Sequence, residues 1–564
     1  MLATLGDARE PSERHPPQSL NSIQQVSKSH PPLTPRQRSA RVVVALLPVA
    51  LQVLSFGMAT GGIVGIQQRK EVPGILSHRH CGWSKAFAPV LLLAATSRCS
   101  TDRVTSPVVG SGNVVIHAGE SIQQAVDANP PGTSFLIEAG LYRMQSVVPK
   151  AGNQFIGQPG AILSGARLLT QFAREGAYWV ATGQTQENPR YGPTPYGVEV
   201  CWDGSDGKHP DSRGCIYPED LFLDNRPLKH ATTLAAVQPG SWYFDYLADK
   251  IYFADDPAGH VVEAGVSATA FRGDRTNGVV VQGLIIEKYA AAAQRAAVDF
   301  RNSSSVVIRD NEIRWCHGAG AAITTGASGV ISGNHIHDNG ELGIGSYGSV
   351  DLLVVNNELA RNNYAGYNSA WEAGGAKFSR TTGLVVRGNS VHDNVGKGIW
   401  TDTDDIQSLI EQNVITGNTD HGIFREAGYA AIVRDNTVVN NGWHGIIIDS
   451  SPDVEVSGNT VQNNGWNWPS PLPQIGARDT RAGAQGRSGP LEVRNLWVHD
   501  NTVTGPVAAG VTGPDAIFAV DHNNRFDRNK YHLSGPRSFQ WRGIMLTDQE
   551  WQAAGQDRNG SFNR

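Results

Sequence analysis

The sequence predicts an all-β solenoid of stacked coils, about 23 residues to the coil, interrupted early by an inserted antiparallel β domain and closed by helical caps. Three observations carry this. From Asn389 to Gly458 one unit is repeated three times: Asn opens it, an apolar residue follows two places on (Val391, Ile415, Val438), and Gly-Ile stands nine and ten places on (Gly398-Ile399, Gly422-Ile423, Gly445-Ile446). The same register extends over Asn311, Asn334, Asn357, Asn389, Asn413, Asn436, Asn459, Asn501 and Asn524, at intervals of 23, 23, 32, 24, 23, 23, 42 and 23. Finally, the units carry short Val/Ile runs broken by Gly and Asn, where a leucine-rich repeat of equal length would need Leu at fixed offsets and a helical return.

A unit this short cannot bury its own apolar face and must stack on its neighbours. Three short parallel strands per coil satisfy that, with Asn at one corner bonding to the Asn of the next coil and Gly permitting tight bends. These features resemble the right-handed parallel β-helix superfamily of pectate lyases and related carbohydrate enzymes, and the resemblance implies that fold and a saccharide substrate.

In chain order, residues 1–106 read as a leader. Residues 1–41 are rich in Pro, Ser, Gln and Arg without apolar period, the composition of disorder. Val42 to Ile66 is uncharged and follows Arg36, Arg38 and Arg41, as a signal anchor would. Lys85 followed by AFAPVLLLAA and TSRCS reads as a second secretion signal. It resembles a lipoprotein signal ending at Cys99, with Arg98 departing from the small residue expected there. The mature chain is therefore expected to be secreted or at the cell surface, with anchoring through the N-terminal segment.

Residues 107–170 read as first coils with a cap helix, because Ser121 and Gln124 have capping-box spacing and Ile122, Ala125 and Val126 share one face. From 171 to 265 the Asn period gives way to aromatic alternations such as LFLDN and DKIYFADD, an inserted β domain. Its Cys201 and Cys215 are expected to pair in an exported chain, and Cys316 to stay a buried thiol. The β-helix resumes over 266–530. A cap or tail follows at 531–564, where Thr547 and Glu550 repeat the capping-box spacing.

The candidate chemistry follows from alternation within one strand of each coil. If the Ile after Gly points inward, the next outward positions are Gly345, Lys377, Trp400, Phe424 and Ile447, then Tyr347, Ser379, Asp402, Glu426 and Asp449. Lys397, His421 and His444 precede the Gly. Two insertions, Asn363–Gly375 and Trp466–Gly489, are expected to enter just before this strand and wall the carboxylates in, with Trp371, Trp466 and Trp468 offering faces to sugar rings. Neighbouring parallel strands lie ~4.8 Å apart, so Asp402 and Glu426 suit the ~5–5.5 Å of a retaining glycosidase, while Asp402 and Asp449, two coils apart, suit an inverting one. One carboxyl of such a pair is expected to have a raised pKa and act as general acid.

WEAGGAKF, GIWTD and GIFRE, after an early β insertion, are similar to the retaining β-xylosidases of glycoside hydrolase family 120. That resemblance implies Asp402 as nucleophile, Glu426 as acid/base and Glu372 as a supporting acid. Around them, Trp371, Lys377, Lys397, Trp400, His421, His444 and Asp449 are the expected substrate-binding residues, and no metal or other cofactor is expected. A polysaccharide lyase or epimerase remains open, with Lys377 or Lys397 as base and Ca2+ on Asp402, Asp404 and Asp405; against it, no Arg occupies the outward positions. A non-catalytic carbohydrate-binding surface protein is the third reading. A net charge of −5 without basic clusters gives no expectation of nucleic acid.

Overall fold

The computed structural model describes residues 113–564 apart from 192–198, 206 and 208. The export segments expected in the leader lie outside them. No helix among the described residues is long and apolar enough to cross a membrane.

The chain winds into a right-handed parallel β-helix whose coils each lay one strand on each of three long sheets. In one coil these are Val307–Arg309 on the first sheet, Glu312–Arg314 on the second and Ala319–Thr324 on the third. Pairing is parallel throughout these stacks except where Phe539–Trp541 meets Ile544–Leu546. Inward residues of the strands form one continuous apolar column, including Ile399, Ile423 and Ile446 on the third sheet and Val391, Ile415 and Val438 on the second, all fully buried, with Arg425 and Asp405 as a paired polar exception. Strands of the sheets run from Val114–Ile116 to Ser561–Asn563.

Between Ala166 and Gly265 the chain leaves the stack to form two smaller sheets around Trp242, Phe244, Ile251 and Phe253. It returns as though uninterrupted: Val280–Gln282 pairs directly with Gln154–Ile156 of the coil before the excursion. The helix Ile122–Ala128, N-capped by Ser121, and the helix Asp548–Ala553, with a full Thr547/Glu550 capping box, lie towards the two ends of the solenoid sequence.

The corner between first and second sheets is a ladder of buried Asn side chains. The backbone N–H and Nδ2 of each donate to Oδ1 of the next, as Asn413 does to Asn436 at 3.0 and 2.9 Å. The ladder runs through Asn311, Asn334, Asn357, Asn389, Asn413, Asn436, Asn459 and Asn501. Its next member is Asn529, not the expected Asn524, because the short 3-10 turns Asp515–Phe518 and Val520–His522 lengthen that coil. Asn524 instead ties Leu496 to Val493 and Ile517.

A second ladder, five residues further on, fastens the corner between second and third sheets. Cys316 donates its N–H to Asn339, and the series continues through Asn362, Asn394, Asn418, Asn441 and Asn464 to Gln474. This ladder explains the invariant Gly of the repeat. A Cβ on Gly398 would lie 2.6 Å from the Gly422 carbonyl and 3.0 Å from Nδ2 of Asn418, so the requirement is close approach and not an unusual turn.

Removing one rung orphans a donor that has no water to turn to. Asn413→Ala would strand the buried Asn389 N–H, at about 1–3 kcal/mol, and would also delete the bonds that Asn413 Nδ2 makes to Val386 and Asn436. The expected outcome is a urea midpoint lowered by ~3 kcal/mol of stability, against less than about 0.5 kcal/mol for the exposed neighbour Thr437→Ala. Equal midpoints for the two would show that the ladder is not stabilising.

Candidate active site

The third sheet carries the polar columns on its outer face, and register alone fixes their order. Gly345 pairs with Lys377, Lys377 with Trp400, Trp400 with Phe424 and Phe424 with Ile447. Beside them, Tyr347 pairs with Ser379, Ser379 with Asp402 and Glu426 with Asp449. Thr401 pairs with Arg425, which sets Asp402 next to Glu426. The extra residue of the 24-residue coil is absorbed after Asp402, where Thr403 and Asp404 have positive φ.

Asp402 and Glu426 are almost out of water yet sit in different fields. Lys377 Nζ lies 3.3 Å from Asp402 Oδ2, and Thr403 donates its hydroxyl to Oδ1 at 2.8 Å. Burial opposes ionisation of Asp402, but Lys377 and Arg481 outweigh it and hold the carboxyl below its usual range. Glu426 accepts a hydrogen bond from the Trp400 indole at 3.1 Å. Burial and the neighbouring Asp402 charge raise it to about 6. One nitrogen of Arg481 lies 2.5 Å from Glu426 Oε1 and 3.9 Å from Asp402 Oδ1. Laid end to end these contacts reach about 6.4 Å, so those two oxygens are no farther apart than that.

Both lysines near the pair are committed to partners. Burial opposes the charge on Lys377, but Glu372 and Asp402 raise its pKa; it lies 3.3 Å from Glu372, donates to the Trp371 carbonyl and stands 3.7 Å from the Trp400 ring centre. Lys397 pairs with Asp420 at 3.1 Å, donates to the Ser369 carbonyl and flanks the same indole at 4.4 Å. Trp400 is thus held between two ammonium groups with its N–H aimed at Glu426. Glu372 also accepts from Gln294.

Other candidates are placed differently from what the sequence suggested. Trp371 is buried in a cluster with Tyr191, Tyr367 and the Cys201–Cys215 disulfide, where its ring packs the loop. Trp468 stacks edge-on against Trp443, whereas Trp466 is largely exposed. His421 and His444 are buried and stacked; burial drives His421 well below its ordinary range and His444 to about 4, so both rings are neutral at pH 7. Asp449 is occupied by Arg478 at 2.6 Å and by the N–H and hydroxyl of Thr480. Nor do Asp402, Asp404 and Asp405 form a cation site: Asp405 pairs with fully buried Arg425, and Asp404 accepts from the Arg487 N–H.

The first insertion does precede the third-sheet strand, here Gly374–Ser379, and is fastened to the inserted domain: Ser212 donates to the Gly366 carbonyl, and Asn368 to that of Val200. The second is split. Ile475–Arg478 is itself a strand of the third sheet, so only residues 465–474 precede it, and 479–492 leave on its far side. That far half delivers Arg481, which sequence reading missed, and Arg478 takes the outward position beyond Asp449 where no Arg was expected. The signal was the tetrapeptide IGAR, whose Gly-Ile order is inverted relative to the repeat and whose ladder Asn is replaced by Gln474.

A family model described as right handed beta helix region matches residues 275–467. No curated protein matches the chain. Among solved structures, that of XylC with xylose is similar over 76% of this chain and 86% of its own, at 14% identity and a TM-score of 0.55. The A-module of the Azotobacter vinelandii mannuronan C-5 epimerase AlgE6 is similar over 75% and 93%, at 14% identity and a TM-score of 0.45. A structure described as a glycoside hydrolase follows over 77% and 96%, at 12% identity and a TM-score of 0.39. What the XylC likeness and the family model establish is the architecture: this chain is folded as a right-handed parallel β-helix.

Proposed function

We propose that this protein is a retaining glycoside hydrolase of β-xylosidase type, with Asp402 as nucleophile and Glu426 as acid/base. The observation that carries the reading is the divergence of two adjacent carboxyls, one kept ionised by Lys377 and Arg481, the other raised to about 6. Pushing apart the pKa values of a close pair is how one site holds a base and an acid at the same pH. The xylose bound by XylC, which shares the fold, and the GIWTD and GIFRE motifs support a pentose glycoside as substrate.

In the first step an ionised Asp402 oxygen attacks the anomeric carbon while Glu426 gives its proton to the leaving oxygen. In the second, Glu426, now ionised, takes a proton from water as that water displaces Asp402, restoring both groups. Trp400 and Arg481 stabilise Glu426 once charged, which favours its return to base. Against the lyase reading, Lys377 is held charged by Glu372 and Asp402, and Lys397 is paired with Asp420.

Two tests follow. Asp402→Ala should abolish turnover and be partly rescued by azide with a product of inverted configuration; wild-type-like turnover would falsify the nucleophile assignment. Glu426→Ala should lose about 10²–10⁴-fold on natural glycosides yet keep a fast first step on aryl glycosides with good leaving groups.

The pH profile supplies the other. Because the acid must be protonated, kcat/KM on poor leaving groups should fall as pH rises through about 6. Arg481 favours the charged form of both carboxyls, so Arg481→Met should shift both limbs of the profile upward. An unchanged alkaline limb in Arg481→Met would separate Glu426 from that titration.

A further inference from the structure

Away from the carboxylate pair, the outer face of the second sheet brings together the motif His335-Ile336-His337 and Glu312. Ile336 is fully buried, so alternation turns both imidazoles outward, with ring centres 3.8 Å apart. Glu312 is the register partner of His335 one coil back. One nitrogen of each ring and one oxygen of Glu312 lie within 4.8 Å of one another, the only such group of three among the described residues.

Proton accounting leaves this cluster incomplete. His337 Nδ1 lies 2.5 Å from Asp338 Oδ2 and 3.2 Å from Nη2 of Arg361, which itself holds that carboxylate at 2.7 Å. A neutral ring that donates there turns its Nε2 lone pair on Glu312 Oε1, 3.3 Å away, acceptor facing acceptor. His335 Nε2 is buried without a hydrogen-bond partner and faces Glu358 Oε2 at 3.6 Å. A cation between these groups resolves both conflicts. The outer contacts also match what metal ligands have: an imidazole whose second nitrogen donates to a carboxylate, and a ligating carboxylate oriented by its own donor, here Arg314.

We propose that Glu312, His335 and His337 bind a divalent transition-metal ion. Two imidazoles and one carboxylate are the donor set of Zn2+, with water or Glu358 completing four-coordination. The ion would bind two consecutive coils together on a sheet that carries none of the carboxylate pair.

The competing account is an imidazolium at His337 held by salt bridges alone, and metal titration separates the two. The full chain, stripped with chelator, would be titrated with Co2+ at neutral pH, following visible d–d absorption, then challenged with Zn2+. Expected are one equivalent of nitrogen- and oxygen-ligated Co2+ displaced by Zn2+, and a melting temperature raised by the metal. His335→Ala and His337→Ala should each weaken binding about tenfold or more, as should Asp338→Asn through His337. Metal-free melting temperatures of these variants check that they fold. Absence of stoichiometric Co2+ binding, or binding unchanged in the His335→Ala/His337→Ala double variant, would overturn the proposal.

Discussion

Side-chain amide stacking at the corners is the constraint on which the rest of this molecule depends. A parallel strand of three residues has too few backbone hydrogen bonds to fix its own register, and a slip of one residue would turn every inward Ile or Val to solvent. Two lines of buried Asn remove that freedom by requiring each coil to present an amide at the same height as the last. Length variation is then confined to places where it does not disturb the ladders. The excursion at 166–265 and both loop insertions obey this: each leaves the stack and rejoins it in register.

Fixed register is also what brings like charges together. A column holding Asp402, Glu426 and Asp449 at one strand spacing would repel itself, and the protein answers with cations from neighbouring positions of the sheet and from the loop that follows it. Arg478 neutralises Asp449, Arg481 bridges the other two, and Lys377 approaches Asp402 from the adjacent column. Beneath them, an inward Arg425 buried with Asp405 stands between Thr401 and Ile448 of the neighbouring coils, anchoring the strand on which Glu426 sits. The asymmetry between the two carboxyls is therefore a product of loops and neighbours more than of the repeat.

That division explains what was legible in the sequence. Periodicity specifies position, so the outward columns, the inward Ile series and most of the Asn corner could be read directly. The second ladder was equally written, as N-x-x-x-x-N from Asn334 onwards, but only hydrogen bonding distinguishes its Asn from ordinary turn residues. Asn524 misled because an Asn at the expected interval precedes the true rung by five residues. Nothing periodic places Arg481, whose reach depends on where an irregular segment folds back, and composition cannot tell a Trp that packs a disulfide, such as Trp371, from one that meets a sugar.

The first ladder has a direction. Every amide in it accepts at its oxygen from the preceding rung and donates from Nδ2 to the following one, so along the ladder each bond polarises the next. The line ends not on another amide but on Asp557, whose Oδ1 accepts from both the N–H and Nδ2 of Asn529 while Oδ2 takes the Tyr531 hydroxyl and the Trp551 indole. A negative group stands where the last donors of the ladder point, as an acidic residue does at the start of an α-helix. An amide accepts and hands on; a carboxylate only accepts. Asp557 thus acts as a chemical full stop: its side chain accepts the last rung and has no amide donor to pass one on.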